Sequence, residues 1–316
     1  MKLISSIVTL SLIYATPIII TALGGLYSER SGIVNIALEG IMVVGAFVAA
    51  TFTPLNEAVF GNWTPWIAIL LGALAGGLYS LIHAFVSIDL RADQVISGTA
   101  LNMLSLGITV YFCQIFFNQQ RTKTFNRGFV KTNVPLLSDI PIIGDLFFKR
   151  MYYTFYVALA LVIITAFILK RTRFGLRLRA SGEHPSAVDS VGVSVRKMRY
   201  IGVLISGLLA GLSGGIMVLT QATQFTAGSI HGIGFISLAA LIFGRWNAYG
   251  VLGASIFFGF SQIFTIFSKD IPLLASVPAE IFKAVPYVLT IIAMLIFSRK
   301  NVGPKASGEL YDVSKR

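Results

Sequence analysis

Long runs of apolar residues, separated by short polar stretches, dominate the pattern along this chain. A helix needs about 20 apolar residues to cross a bilayer, and windows of that length predict about nine membrane spans. The predicted spans cover residues 3–26, 32–52, 64–88, 94–117, 151–170, 200–222, 233–246, 248–268 and 282–298. The seventh is short for a crossing, which indicates a broken or tilted helix. The pattern predicts an all-α fold, a polytopic integral membrane helical bundle forming one domain over residues 1–316.

The composition supports a membrane protein and argues against nucleic-acid binding. Hydrophobic residues make up 55% of the 316 residues and charged residues 12%, and the mean hydropathy is +0.80. The formal net charge is +12, but the cations cluster between Lys170 and Arg199 and after residue 298 instead of forming a basic soluble module. Clusters of this kind beside membrane spans are typical of cytoplasmic loops. The single cysteine, Cys113, excludes an intramolecular disulfide.

The positive clusters predict which segments lie on each side of the membrane. Residues 171–199 form the only sizeable loop expected in the cytoplasm, and residues 299–316 are the predicted cytoplasmic tail. Counting spans from these two segments places the amino terminus outside and makes residues 118–150 an outer loop. Lys and Arg residues in that loop argue for the opposite side, whereas the aromatic residues at the start of the fifth span favour the outer position.

Polar residues interrupt the second predicted span at regular spacing. Ser31, Asn35 and Glu39 recur every four residues, so a continuous helix would place all three on one stripe. A carboxylate near the bilayer centre costs about 2 to 3 kcal/mol on insertion scales, so we expect Glu39 to face the bundle interior or water. Two interpretations stay open: the stripe lines or supports a transport path, or Glu39 is a structural residue satisfied by backbone or a neighbouring helix.

The fourth predicted span carries a longer polar stripe. It consists of Gln94, Gly98, Asn102, Ser105 and Thr109. Spacings of four and three residues place these positions on one helix face. A wetted path and hydrogen bonds between helices explain such a stripe equally well. The hypothesis of a substrate path takes in Asn35, Glu39, Gln94, Ser97, Asn102 and Ser105.

Two short segments of the chain are similar to each other. GIVNIALEG at 32–40 and GIGFISLAA at 232–240 share Gly, Ile, Ile and Leu at a constant offset of 200 residues. By the span count the first begins inside and the second outside. That relation is the one expected of inverted repeats, whose interface often holds the substrate near the membrane midplane.

The predicted cytoplasmic loop contains a short rigid piece. Pro185 and Gly192 bracket it, in the positions that favour the start and the end of a helix. Ala187, Val188 and Val191 are expected on one face of this piece. Held between membrane helices, such a knob can enter a groove on a soluble partner and transmit its movement. Alternatively, the loop only solvates the membrane surface and its cations attract anionic lipid.

Several stretches carry a resemblance to a known family. They are GLYSERSGIVNIALEGIMVVGAF, RADQVISGTALNM, GEHPSAVDSVGV, GIGFISLAALIFGRWNAYGVLGASIFFGF, and PYVLTIIAMLIFSRK with GPKASGELYD near the carboxyl end. From about residue 20 to its end, the chain resembles one permease subunit of bacterial ABC importers for purine nucleosides. These belong to a wider permease family that also serves ribose-type sugars and branched-chain amino acids.

The resemblance implies a coupling role for the bracketed piece and a set of partners. The coupling residues it implies are Glu183, Pro185, Ala187, Val188, Val191 and Gly192. The implied partners are a second permease, an ATPase subunit with two nucleotide-binding domains, a lipid-anchored substrate-binding protein, the nucleoside and membrane lipid. The chain would be a multi-pass protein of the bacterial cell membrane with a cytoplasmic carboxyl terminus.

Motifs for ATP hydrolysis or other catalysis are missing from the sequence. It has no GxxxxGK(S/T) phosphate loop, so we expect ATP and Mg²⁺ on the partner ATPase and no cofactor on this chain. His83, His184 and His231 fall at different predicted levels, so neither a catalytic group nor a metal site is predicted. The alternatives are an ABC permease for ribose-type sugars or branched-chain amino acids, and an ion-coupled secondary transporter in which Glu39 carries the proton or ion.

Overall fold

The computed structural model describes residues 2–135, 137–141, 144–267, 288, 303–309 and 311. These residues form helices joined by turns and loops, and they contain no β-strand beyond two isolated bridges. The α-helices are α1 (Lys2–Arg30), α2 (Leu38–Phe60), α3 (Thr64–Ala84), α4 (Gln94–Phe117), α5 (Tyr153–Arg171), α6 (Arg173–Glu183), α7 (Pro185–Ser190), α8 (Val195–Gln221), α9 (Ile233–Phe243) and α10 (Ala248–Phe267). The all-α prediction is confirmed.

Five helical segments are long and apolar enough to cross a membrane, judged by length and composition. They are Ser5–Arg30, Leu38–Asp89, Gln94–Phe117, Tyr153–Arg171 and Val195–Gln221. The second of these contains both α2 and α3. These helices agree with a membrane bundle, and the exact number of spans stays a prediction. The predicted ninth span, residues 282–298, lies outside the described residues apart from Val288.

α1 runs through the centre of the bundle. It packs against α8, α10, α9 and α5, and its middle is completely buried at Ile18, Ile19 and Leu23. Beside it, small residues let α2, α3 and α8 approach one another closely. A Cβ added to Gly76 of α3 would lie only 2.6 Å from the Cα of Gly211 of α8. The backbones of these helices therefore touch, and they hold the neighbouring irregular segments in place.

The second predicted span begins later than expected. Residues 31–37, which we call the first break, are not helical and separate α1 from α2. Gly32 has a φ of +99°, a left-handed backbone that glycine adopts without steric cost and that turns the chain out of α1. The predicted helical stripe of Ser31, Asn35 and Glu39 is therefore wrong, because only Glu39 lies in a helix.

The seventh predicted span is one short helix that follows a non-helical segment. Residues 222–232, the second break, contain one 3-10 turn at Ala227–Ile230 and lead into α9. α9 has 11 residues, which at 1.5 Å per residue is a length of about 16 Å, half of what a membrane span needs. The short length predicted for residues 233–246 is confirmed. The break and α9 together take the place of one continuous span.

Residues 171–199, which we call the coupling loop after the role that the resemblance implies, meet the described tail at one end of the bundle, the loop face. There Ala306 N–H donates to Gly182 O over 2.8 Å and Gly308 N–H donates to Gly32 O over 3.1 Å. The described part of residues 118–150 lies at the other end, where Asn126 N–H donates to a carboxylate oxygen of Glu57 near the end of α2. The two segments predicted to lie in the cytoplasm therefore share one face of the bundle. That this face is the cytoplasmic one stays a prediction.

Candidate functional site

Side chains of α4 satisfy the backbone of the first break. Gln94 Oε1 accepts from Val34 N–H over 2.7 Å. Asn102 bridges two backbone groups: its Nδ2 donates to Ile36 O over 2.9 Å, and its Oδ1 accepts from Gly40 N–H over 2.7 Å. Non-helical backbone inside a membrane bundle needs such partners, because the bilayer core has no water to hydrogen-bond its N–H and C=O groups. The polar stripe on α4 thus makes hydrogen bonds between helices.

Two further helices hold the same break from other sides. Asn35 is completely buried, and its Nδ2 donates to Ser206 Oγ of α8 over 2.9 Å. His83 of α3 places Nε2 3.0 Å from Val34 O and Nδ1 3.0 Å from Ser97 Oγ. His83 and Ser206 were missed as contributors by the sequence analysis. A polar residue within an apolar span is the signal that could have marked each of them.

Glu39 lies between the amino-terminal ends of two helices. It belongs to the first turn of α2, and its Oε1 accepts from the N–H of Gly232, the residue that caps α9, over 2.9 Å. A Cβ added to Gly234 would lie 2.5 Å from the Cα of Glu39, so α9 starts directly against α2. Both helix dipoles favour a negative charge at this point. The helix ends therefore stabilise a carboxylate that would be costly elsewhere in the bundle.

The two similar segments, 32–40 and 232–240, contact each other through this glutamate. α2 runs from Glu39 toward the end of the bundle where Glu57 meets residues 118–150. α9 runs the opposite way, because the residue Trp246 just beyond it bonds to the loop-face end of α1. Opposite helix directions at a shared contact agree with the predicted inverted repeat, which stays a prediction.

The six predicted path residues are brought together around the first break. Ser105 belongs to the same group, because its Oγ would lie 2.8 Å from a Cβ added to Gly40 at the start of α2. Three side-chain atoms there are buried without a hydrogen-bond partner among the described residues: Asn35 Oδ1, Glu39 Oε2 and Gln94 Nε2. The hydrogen bonds described above give the polar stripe on α4 a role in holding the bundle together. The assignment of these six residues to a substrate path stays a prediction.

The bracketed piece of the coupling loop forms a helix as predicted. Pro185 is the first residue of α7, and Gly192 follows its end with a φ of +78°. The predicted common face of Ala187, Val188 and Val191 is wrong. Val188 is only 6% exposed whereas Val191 is 74% exposed, because α7 ends at Ser190 and Val191 turns outward beyond it. Ala187 is exposed.

Two elements support α7 through contacts that the sequence analysis did not predict. α6 is a separate helix, begun by Thr172, whose Oγ1 accepts from Gly175 N–H over 3.0 Å, and it ends at Glu183. The described tail crosses the loop, where Tyr311 OH donates to Asp189 Oδ2 of α7 over 3.1 Å. Arg199 of α8 donates to Glu309 O over 3.1 Å. α7 is therefore held from both sides at the loop face.

Among the described residues, no group of three or more His, Cys, Asp or Glu side chains is placed to hold a metal ion. The site consists of amides, hydroxyls, one imidazole and one carboxylate. Such groups bind a ligand through hydrogen bonds.

Comparison with known proteins places the chain in a family. Residues 7–294 match the model of the branched-chain amino acid transport system / permease component family. The guanosine ABC transporter permease protein NupQ of Bacillus subtilis is 47% identical over 100% of this chain and 99% of its own length. The nucleoside ABC transporter permease protein NupC of Lactococcus lactis is 43% identical over 98% of this chain and 97% of its own.

A second permease from the first of these organisms is also similar. The guanosine ABC transporter permease protein NupP of Bacillus subtilis is 29% identical over 90% of this chain and 78% of its own length. Both the family match and the two full-length relatives cover nearly every element described above. The chain belongs to the permease component family of branched-chain amino acid transport systems, as the motifs quoted from its sequence indicate.

Proposed function

We propose that this protein is a transmembrane permease subunit of an ATP-driven ABC importer for purine nucleosides. The observation that carries the proposal is the 47% identity, over the whole chain, to a permease named for guanosine. A second relative named for nucleosides, 43% identical over 98% of the chain, supports the same substrate class. The protein is a transport subunit and not an enzyme.

The proposed complex has three further components. Bacillus subtilis has two guanosine permeases similar to this chain, which supports a second permease as partner. An ATPase subunit with two nucleotide-binding domains would bind ATP and Mg²⁺, since this chain has no phosphate loop. A lipid-anchored binding protein would deliver the nucleoside from outside. In this proposal the chain is embedded in the membrane with its loop face and carboxyl terminus in the cytoplasm.

The proposed mechanism is alternating access driven by the ATPase. Closure of the ATPase would push on α7, and the helices would move so that a nucleoside passes between the two permeases. A nucleoside is neutral and rich in hydrogen-bonding edges. The amides of Gln94 and Asn35 each keep one buried atom without a partner among the described residues, and groups of this kind suit such a substrate.

Uptake of labelled guanosine tests the function. We expect cells lacking this gene to lose uptake, and the gene on a plasmid to restore it. ATP depletion should abolish uptake while the ion gradient is kept, and only nucleosides should compete with guanosine. Uptake that follows the ion gradient would contradict the ABC mechanism in favour of a secondary transporter. Competition by ribose or leucine would keep the mechanism and replace the substrate.

The difference in exposure between two valines tests the proposed contact with the ATPase. Val191 is 74% exposed beside α7 and Val188 is 6% exposed. Val191→Asp should leave the free energy of unfolding within about 0.5 kcal/mol and weaken copurification of the ATPase. Val188→Asp should instead destabilise the permease, because it buries a charge. Normal ATPase binding by Val191→Asp would remove Val191 from the contact.

A further inference from the structure

The end of α6 is held against the end of α1 by three contacts. Ser181 Oγ donates to Ser31 O over 3.0 Å. A Cβ added to Gly182 would lie 2.5 Å from Arg30 O, so the two backbones touch. Glu183 Oε1 lies 3.6 Å from Arg30 Nη1. α7 follows within two residues, so a displacement of α7 is transmitted to the end of α1.

The same end of α1 holds the turn between α9 and α10. Arg30 donates to Trp246 O from Nη2 over 2.9 Å and from Nε over 3.3 Å. Trp246 Nε1 donates to Glu29 Oε2 over 2.5 Å. Arg245 and Trp246 have φ values of 51° and 52°, a conformation that is unfavourable for residues other than glycine. The shape of this turn therefore depends on the groups that hold it.

α9 connects this turn to Glu39. Its 11 residues are bonded at one end through Gly232 N–H to Glu39 Oε1 and followed at the other by the turn at Trp246. A helix this short moves as a rigid unit when one end is displaced. The contacts form one continuous connection from α7, through Glu183 and Arg30, to the start of α2.

We propose that Arg30 is a positioning residue for ATP-driven transport: it links α7 to α9, so that movement of the coupling loop shifts the contact between Gly232 and Glu39. The proposal rests on the proposed function. A guanidinium suits the task, because its planar set of donors reaches Trp246 O and Glu183 together, which the single ammonium group of lysine does less well. The pair with Glu183 is partly exposed, so its role is geometric and adds little to stability.

The test measures nucleoside transported per ATP hydrolysed by the complete complex, reconstituted in liposomes with its binding protein. For Arg30→Gln we expect near-normal hydrolysis, and transport per ATP reduced about tenfold, a typical size for coupling between two sites. Arg30→Lys should fall between Arg30→Gln and the unaltered complex. The matched control is Arg177→Gln on the exposed side of α6, which should behave as the unaltered complex does. An unchanged ratio for Arg30→Gln would overturn the proposal.

A second variant decides the matter if Arg30→Gln fails to assemble. Glu183→Ala removes the carboxylate that pairs with Arg30 and leaves the bonds from Arg30 to Trp246 O in place. It should also lower transport per ATP while the complex elutes intact from a size-exclusion column. A normal ratio for this variant would then overturn the proposal. If the unaltered complex shows no ATP-dependent nucleoside uptake, the proposed function itself is contradicted. If that complex is active and the variants transport as much nucleoside per ATP as it does, only the role of Arg30 is contradicted.

Discussion

The two breaks in the bundle are built differently. The first, residues 31–37, is bonded by side chains on α3, α4, α6 and α8, such as Asn102 on α4 and Ser206 on α8. The second, residues 222–232, is held near its start by the segment around Thr122, whose Oγ1 accepts from Phe225 N–H over 2.9 Å and which adds two backbone bonds. At its end, Glu39 accepts from Gly232 N–H. The first break is thus fastened along its length and the second at its ends.

This difference indicates which break is free to move. Irregular backbone in a membrane protein persists only where protein groups satisfy it. Detaching the first break would expose several backbone groups together, whereas releasing Glu39 from Gly232 costs one hydrogen bond. We therefore expect the second break and α9 to shift during transport while the first break stays in place.

The largest expected effect comes from α4. Asn102→Leu leaves both Ile36 O and Gly40 N–H without a partner. At about 1 to 3 kcal/mol for each unsatisfied group, it should lower the free energy of unfolding by about 2 to 6 kcal/mol. Denaturant unfolding in detergent measures this. Thr99→Val on the exposed side of α4 is the control, since its hydroxyl bonds only within the helix. Equal stability of the two variants would show that the first break does not depend on α4.

A smaller loss of stability is expected at the junction of the breaks. Glu39→Ala removes the acceptor for Gly232 N–H and should cost about 1 to 3 kcal/mol of unfolding free energy. Glu39→Gln keeps an acceptor and loses only the attraction to two helix dipoles, about 0.3 to 1 kcal/mol at each helix end. If the two variants lost the same stability, the charge of Glu39 would matter more than its hydrogen bond. Guanosine uptake by both, compared at equal expression, shows whether stability and transport change together.

The smallest effect is expected at the start of the second break, away from the loop face. Thr122→Val keeps the shape of the side chain but removes the acceptor for Phe225 N–H, which should cost about 1 kcal/mol. Because this contact fastens the fixed end of the break, transport per ATP should stay normal. A large fall in transport per ATP would mean that the start of the second break also moves.

Much of the membrane architecture was predictable, but the first break was not. The apolar windows predict most helices, because burial in lipid demands apolar side chains and internally bonded backbone. The four-residue spacing of Ser31, Asn35 and Glu39 matches a helix. No local sequence signal indicates that the backbone is not helical there. Gly32 is one of 30 glycines, so its left-handed conformation does not stand out in the sequence.

The polar residues of the candidate site were predictable as a set, but their partners were not. Gln94 and Asn102 fall on the predicted stripe, and in the fold they bond backbone some 60 residues away. Periodicity identifies a face of a helix and cannot say what that face meets. The same limit explains Val188 and Val191, whose opposite exposure depends on where α7 ends.

The sequence by itself determined the helical membrane class, the short seventh span, the Pro–Gly boundaries of α7 and the family, because these depend on local composition and on motifs. Only the tertiary structure decided that residues 31–37 are not helical, that Glu39 joins the starts of α2 and α9, and that Arg30 connects the coupling loop to Trp246. Each of these features depends on a hydrogen bond between residues at least 60 positions apart in the chain. The physical reason is that a polar group in an apolar bundle takes the partner that packing brings to it, and packing is a property of the whole chain.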